Sequence, residues 1–267
     1  MAVISERKLA LVTGASSGIG LELARQCGKN GFDLVLCAED ADIEGVAESL
    51  AAACGVSAYA VRADLRTREG CDQLARAAAE LSRPVDALLL NAGVGVGGPF
   101  LTTALDAELE MIALNCNHTI HVAKLIVPDM ARRGQGRVLI TASVVSTAPA
   151  PYQAVYGATK AFVMSFAEAL RVELADTGVT VTALQPGATD TDFFRRAGML
   201  DTKVAQDAKD DPADVARRGF EAMMAGKDAV LGGDFKARMQ GFMNELLPEP
   251  VKAKQVARTT KPGSARD

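Results

Sequence analysis

Residues 9–20 read Leu-Ala-Leu-Val-Thr-Gly-Ala-Ser-Ser-Gly-Ile-Gly, an apolar run followed by three glycines in the spacing GxxxGxG. The apolar run is typical of a buried strand, and glycine permits the sharp turn that must precede a helix. The N–H groups at the start of a helix bind anions, so this strand, turn and helix predict a site for a pyrophosphate. A tight turn with nothing bound is the alternative that these residues alone leave open.

The rest of the chain repeats this unit of a short apolar run and a longer helical segment. Strands are predicted at 9–12, 34–37, 58–61, 87–90, 138–140, 179–184 and 229–231. Helices are predicted at 20–29, 42–53, 68–81, 104–133, 154–176 and 214–225. Several strands are apolar throughout, which is typical of parallel strands covered on both sides. The sequence therefore predicts an α/β fold, a single-domain doubly wound parallel sheet (Rossmann-type) with helices on both faces, and a ligand crevice at the carboxyl ends of the strands.

The length and composition of the chain limit the classes of protein to which it can belong. The chain has 267 residues, 49% of them hydrophobic, and a net charge of -4, which suits one domain and gives no basic surface for nucleic acid. No apolar stretch reaches the ~18–20 residues of a membrane helix, so no membrane partner is expected. Five separated cysteines favour reduced thiols and a cytoplasmic location. We expect a domain over 1–247 with a lid at about 188–210, and a flexible tail over 248–267.

The glycine spacing resembles that of the classical short-chain dehydrogenase/reductase family. Further segments match that family in order and in register between residues 8 and 191. They are Asp64-Leu65, Leu90-Asn91-Ala92-Gly93, Asn115, Ser143, Tyr156-Gly-Ala-Thr-Lys160 and Pro186-Gly187-Ala-Thr-Asp-Thr191. One departure is Leu90, which stands where the family has asparagine.

The resemblance implies an oxidoreductase that moves a hydride between a nicotinamide cofactor and a ketone, aldehyde or secondary alcohol. The catalytic residues that it implies are Asn115, Ser143, Tyr156 and Lys160. The cofactor-binding residues that we expect are Gly14, Ser16, Ser17, Gly18, Ile19, Gly20, Glu39, Asp64, Leu65, Asn91, Ala92, Gly93, Tyr156, Lys160, Pro186, Gly187, Thr189 and Thr191. A homodimer or homotetramer through the helices at 104–133 and 154–176 is also implied, although core packing would give the same apolar faces.

The chemistry explains why Tyr156 and Lys160 belong together. They are four residues apart on one predicted helix and share a face. A free phenol has a pKa near ~10, and bringing it to ~7 takes about 4 kcal/mol. One ammonium at ~4 Å in an effective dielectric of ~20 supplies roughly that energy. By the resemblance, Tyr156 is the general acid/base, Lys160 also holds the nicotinamide ribose, Ser143 polarises the substrate oxygen and Asn115 anchors a relay water.

The residues after the second strand, Ala38-Glu39-Asp40, bear on the choice between NAD and NADP. Family members that use NAD carry an acidic residue where Ala38 falls, and those that use NADP carry a small residue followed by arginine, with a base near position 17. Here Ser17 is neutral, and Glu39 would repel a 2′-phosphate. NAD is therefore favoured over NADP, unless Arg62 reaches into the site or Glu39 points into solvent.

The substrate is expected to be a small, partly apolar carbonyl compound or alcohol, because the lid carries several apolar side chains. The substrate-binding residues that we expect are Ser143, Val145, Tyr156, Phe193 and Phe194. No metal site is predicted, since His118 and His121 lack further ligands nearby in the sequence. The alternative function is a regulatory module of the same fold that binds NAD(P) without turnover.

Overall fold

A seven-stranded parallel sheet forms the centre of the computed structural model, which describes residues 7–233 and 248–266. The strand order is β3-β2-β1-β4-β5-β6-β7. The strands are β1 (Leu9–Thr13), β2 (Asp33–Ala38), β3 (Ala58–Arg62), β4 (Ala87–Leu90), β5 (Gly136–Thr141), β6 (Val179–Gln185) and β7 (Ala229–Leu231). Each lies within two residues of its predicted bounds, and the doubly wound parallel sheet is confirmed.

Helices cover both faces of the sheet. They are α1 (Gly18–Lys29), α2 (Asp42–Cys54), α3 (Arg68–Glu80), α4 (Leu105–Ile112), α5 (His118–Arg133), α6 (Ala154–Glu173), α7 (Phe193–Arg196), α8 (Lys203–Gln206), α9 (Pro212–Met224) and α10 (Glu249–Thr260). None of the helices formed by the described residues combines the length and apolarity that crossing a membrane requires.

Alternate residues of β1 point into two separate hydrophobic cores. Leu9 and Leu11 pack in the core that α3, α5 and α6 cover, whereas Ala10 and Val12 pack in the core under α1, α2 and α9. All four residues have no exposed surface. Successive residues of a strand face opposite sides, so the uninterrupted apolar run is the direct result of burial on both faces.

The helix predicted over 104–133 is interrupted in the structure. Between α4 and α5 the backbone forms a wider π-helical turn at Ala113–Asn117. π-Turns inside helices occur often at functional sites. Here the turn carries Asn115, whose side chain hydrogen-bonds the backbone after β4. The helical periodicity of the sequence gives no signal of this interruption, because the bonds that accompany it are made to another part of the chain.

Part of the segment expected to be a flexible tail, 248–267, forms helix α10 in the structure, and the flexibility of the tail stays a prediction. Helix α10 ends at Thr260, whose hydroxyl donates to Pro151 O at 2.9 Å. Gly263 N donates to the Asp201 carboxylate at 2.8 Å, and Ser264 Oγ accepts from Lys203 N at 2.9 Å. These bonds tie the segment to the lid. The polar composition gave no sign of it, since the partners are far away in the sequence. The boundary expected at residue 247 lies outside the described residues.

Candidate active site

One cavity at the carboxyl ends of the strands brings together almost all of the residues predicted for the site. The predicted residues that line it are Gly14, Ser16, Ser17, Gly18, Ile19, Gly20, Glu39, Asp64, Leu65, Asn91, Ala92, Gly93, Ser143, Val145, Tyr156, Lys160, Pro186, Gly187, Thr189, Thr191, Phe193 and Phe194. The exception is Asn115, which is buried behind the cavity wall.

The glycine turn between β1 and α1 is shaped to admit a phosphate group. A Cβ on Gly20 would lie 1.9 Å from Gly14 O, and Gly14 itself has a φ of +66°. Ser17 caps α1 without a side-chain hydrogen bond, and Gly18, Ile19 and Gly20 line the cavity. The first N–H groups of α1 therefore face open space, as an anion site at a helix N-terminus requires. The residues present fit the pyrophosphate of a dinucleotide.

A hydrogen-bond network around Thr13 holds the ends of β1 and β4 together. Thr13 Oγ1 accepts from Asn91 N at 3.0 Å and from Ala92 N at 3.1 Å. His118 Nδ1 lies 2.9 Å from Leu114 O, and a carbonyl only accepts, so the proton is on Nδ1. Burial lowers the pKa of His118 to about 4, so the ring is neutral and its Nε2 accepts from Thr13 Oγ1. Both ring nitrogens of His118 are thus engaged within the protein.

Asn115 fixes the loop that follows β4. Its Oδ1 accepts from Val94 N, and its Nδ2 donates to Val94 O, each at 2.9 Å. The second Nδ2 hydrogen goes to Thr159 Oγ1 on α6, also at 2.9 Å. Asn115 therefore connects the β4 loop, the π-turn and the helix that carries Tyr156 and Lys160.

Tyr156 is buried against the lid. Its ring lies 5.2 Å from that of Phe193, centroid to centroid, and only 7% of the residue is exposed. Ser143, two residues after the end of β5, lines the same cavity as the phenol. Burial raises the pKa of Tyr156 to about 12, while the nearby hydroxyl of Ser143 acts in the opposite direction. The phenol is therefore protonated at neutral pH.

The expectation that Lys160 brings the pKa of Tyr156 towards neutrality is not met in the free chain. Lys160 Nζ donates to Thr141 O at 2.9 Å and lies 5.9 Å from the centroid of the Tyr156 ring. Burial, opposed by the charge of Cys116, lowers the pKa of Lys160 to about 8. The cost of removing both groups from water is larger here than the attraction between them.

This buried ammonium predicts a pH-dependent stability. Lysine in the unfolded chain titrates near ~10.4, so the unfolded state binds more protons between pH 8 and that value, and the stability that Lys160 contributes rises with pH across this window. Relative to Lys160→Met, the wild-type free energy of unfolding should rise by about 2.5 kcal/mol from pH 7 to pH 10. Urea unfolding of both proteins at the two pH values measures this difference. Exposed Lys124→Met is the control, and an equal pH dependence in wild type and Lys160→Met would contradict the prediction.

Glu39 lies at the rim of the cavity and is held by an arginine that the sequence reasoning missed. Arg66 Nη2 lies 2.5 Å from Glu39 Oε2, and Arg66 Nε donates to Asp64 Oδ1 at 2.8 Å. Glu110 reaches the same guanidinium at 3.6 Å. Arg62 does approach, but its Nε donates to the backbone carbonyl of Glu39 at 3.1 Å. Three carboxylates therefore share the guanidinium of Arg66.

The lid separates the two phenylalanines that were expected to contact substrate. Phe193 faces the Tyr156 ring, whereas Phe194 is 6% exposed and packs in the lid's own cluster with Ala197 and Met199. Phe194 still borders the cavity. A bridge between Thr189 and Asp210 joins the two ends of this segment.

Sequence reasoning did not predict a role in the site for Thr13, Gln153 or Arg66. Thr13 carried a signal, because it is the polar residue that ends an apolar strand. Gln153 also carried one, since it lies three residues before Tyr156, at the N-cap of the same helix, and lines the cavity. The sequence gives no signal for Arg66, because Glu39, with which it pairs, lies 27 positions away in the chain.

Comparisons with known proteins agree with this geometry. The family described as short chain dehydrogenase matches residues 8–199. Oxidoreductase UcpA of Salmonella typhimurium is 32% identical over 260 residues, which are 91% of this chain and 96% of that protein. A glycine betaine reductase of Emericella nidulans is 37% identical over 188 residues, 70% of this chain, and this chain spans only 15% of that longer protein.

Solved structures share the fold at a similar level. A short-chain dehydrogenase from Sphingobium yanoikuyae in complex with NADPH has a TM-score of 0.79 and 28% identity, over 90% of this chain and 96% of that one. The 3-ketoacyl-(acyl-carrier-protein) reductase from Brucella melitensis, complexed with NADH, has a TM-score of 0.74 and 28% identity, over 86% of this chain and 99% of that one. The chain therefore belongs to the short-chain dehydrogenase family and is an oxidoreductase of that family.

Proposed function

We propose that this protein reduces a ketone or aldehyde, or oxidises the matching secondary alcohol, with Tyr156 as the general acid/base. The observation that carries the proposal is that Tyr156, Ser143 and Lys160 line the same cavity as the glycine turn at the start of α1. A binding module without turnover needs the turn but has no use for a buried phenol and a buried ammonium beside it.

The residues of this chain have separate tasks in carbonyl reduction. A nicotinamide, when bound, supplies or accepts the hydride. The Ser143 hydroxyl binds the substrate oxygen, and Tyr156 gives its proton to that oxygen as charge develops. Lys160 stabilises the phenolate that remains. Because burial raises the pKa of Tyr156 to about 12, the proton needed for reduction is in place at neutral pH.

Asn115 is proposed to support this proton transfer. Both Nδ2 hydrogens are used within the protein, so only acceptor positions remain for a relay water. The backbone carbonyl of Asn115 already accepts from Thr119 Oγ1 at 2.9 Å. We propose that such a water connects Lys160 to solvent after each turnover.

NAD is the proposed cofactor. The charges around Glu39 support this choice. Three carboxylates share one guanidinium there, and the excess of negative charge would repel a 2′-phosphate. Both NADPH and NADH are found in the complexes of the related structures, so the family alone does not decide it.

A homodimer or homotetramer is proposed for the assembled protein. Leu105 and Leu109 on α4 are 66% and 53% exposed, and Phe162 and Val172 on α6 are 41% and 68% exposed. Apolar side chains of this size are usually covered when they cluster.

The direct test of the function is turnover of carbonyl compounds. Purified protein is mixed with NADH or NADPH and a panel of aliphatic ketones, aromatic ketones and aldehydes, and the loss of absorbance of the reduced nicotinamide is followed. We expect reduction of at least one partly apolar ketone. Tight cofactor binding without oxidation by any carbonyl compound would instead support the regulatory module.

A further inference from the structure

Arg196 is an arginine of the lid that lines the cavity. It is the last residue of α7 and lies three positions after Phe193, whose ring is 5.2 Å from that of Tyr156, centroid to centroid. Residues three apart on a helix have Cβ atoms about 5–6 Å from each other. Arg196 therefore lies one helical turn along the lid from the residue that contacts the proposed general acid.

The side chains of the α7 segment divide into two pairs at this helical spacing. Phe194 and Ala197 are 6% and 4% exposed and pack in the lid's own cluster. Phe193 and Arg196 form the other pair, and both line the cavity. The same helix therefore presents an aromatic ring and a cation to the cavity.

The guanidinium of Arg196 has no hydrogen bond or ion pair with any other described residue. The acid closest to it along the chain is Asp192, which Arg195 already binds through both carboxylate oxygens, at 3.0 and 2.6 Å. That hydrogen bonding, together with the charges of Arg195 and Arg196, holds the pKa of Asp192 below its ordinary value. Asp192 is therefore paired with the neighbouring arginine, and Arg196 acts on it only at a distance.

The other charged residues that line the cavity each have a partner within the protein. They are Glu39 and Asp64, both bound to Arg66, Asp40, bound by Ser16, Lys160, bound to Thr141 O, and Asp192, bound to Arg195. Among the charged residues that the described chain contributes to the cavity, Arg196 alone lacks such a partner. Its side chain is exposed, so a ligand that enters the cavity can reach it.

We propose that Arg196 binds a carboxylate of the substrate while Tyr156 serves the carbonyl. A planar guanidinium matches a carboxylate through two parallel hydrogen bonds. A phosphate carries close to two negative charges, so the carboxylate of Asp192 nearby disfavours it more than a singly charged group. The substrates are then oxo acids in which an apolar chain, passing Phe193, separates the ketone from the carboxylate. This inference rests on the proposed function and adds a residue that selects one class of ketone.

A series of oxo acids and their methyl esters tests the proposal. The acids are 4-oxopentanoate, 5-oxohexanoate and 6-oxoheptanoate, and the ratio of kcat/KM for each acid to that for its ester cancels the reactivity of the ketone. Wild type should prefer the acid in at least one pair, and less so at high salt. Arg196→Met should lower that ratio about tenfold, mainly through KM for the acid, as expected for lost hydrogen bonds to a charged group.

Two variants separate this effect from damage to the fold and from the change in net charge. Arg196→Lys keeps the charge and should retain part of the preference for the acid. Arg76→Met makes the same change at an exposed position of α3, outside the cavity lining, and should leave the ratio within about twofold of wild type.

The affinity for NADH, measured by fluorescence, identifies the other anion that Arg196 could meet, the pyrophosphate of the cofactor. Weaker NADH binding by Arg196→Met with an unchanged acid-to-ester ratio would assign Arg196 to the cofactor and overturn the proposal. An unchanged ratio with unchanged NADH affinity would overturn it as well. So would wild-type protein that reduces other ketones and none of these acids. Wild-type protein that reduces no carbonyl compound would instead overturn the proposed function.

Discussion

Replacing Tyr156 with phenylalanine is expected to lower kcat for carbonyl reduction by about 10²–10⁴-fold, the usual contribution of a positioned general acid. The change removes one oxygen from a buried ring that packs against Phe193, so the fold should tolerate it. Cofactor affinity should change by less than about tenfold, because at most one hydrogen bond is lost. Steady-state rates and fluorescence titration with NADH measure the two quantities separately.

The control for this variant is Tyr59→Phe. Tyr59 lies on β3, is 41% exposed and does not line the cavity. It should keep wild-type rates. Turnover by Tyr156→Phe within about tenfold of wild type would remove Tyr156 from its proposed role. Equal loss of turnover and of cofactor binding would instead point to a damaged site.

Glu39→Gln is expected to tighten NADPH binding by about 10- to 100-fold, while NADH binding changes only a few-fold. The 2′-phosphate of NADP carries close to two negative charges, and Glu39 is 54% exposed at the cavity rim. Removing that carboxylate also releases Arg66 from its shortest ion pair. The chain has no tryptophan, so the fluorescence of the reduced nicotinamide gives both dissociation constants directly.

Two further variants identify the source of the change. Glu110→Gln removes a carboxylate from the same guanidinium but outside the cavity lining, and it should alter NADPH affinity by less than about twofold. In Glu39→Gln/Arg66→Met the gain should largely disappear, because the cation that would meet the phosphate is gone. The gain should also shrink at high salt. Unchanged NADPH affinity in Glu39→Gln would contradict the proposed basis of the NAD preference.

The fold was predictable because burial on both faces leaves a direct trace in the residues of each strand. The β1 run and the glycines after it specify a strand, a turn and a helix without reference to the rest of the chain. The interruption at Ala113–Asn117 has no such trace, since it accompanies the bonds between Asn115 and the backbone of Val94. The hydrophobic periodicity of a helix indicates which face is buried. It does not indicate where a side-chain bond to another segment accompanies a π-turn.

The residues that line the site could be predicted from the sequence, whereas the pKa values and ion pairs of those residues could not. All of the predicted residues except Asn115 line one cavity. The pKa of Tyr156 could not be obtained from its spacing to Lys160, because burial depends on the lid and on Phe193. The pairing of Glu39 with Arg66 could not be obtained either, since two loops after different strands bring the pair together.

The bonds between the lid and the end of the chain have a practical consequence for handling the protein. Ser264 and Gly263 are bonded to Lys203 and Asp201, so a label attached at Gly263 lies beside the lid. Arg7 precedes β1 at the opposite edge of the parallel sheet. Attachment to a solid support near Arg7 therefore leaves the catalytic edge facing solution, whereas attachment near Gly263 places the support next to it.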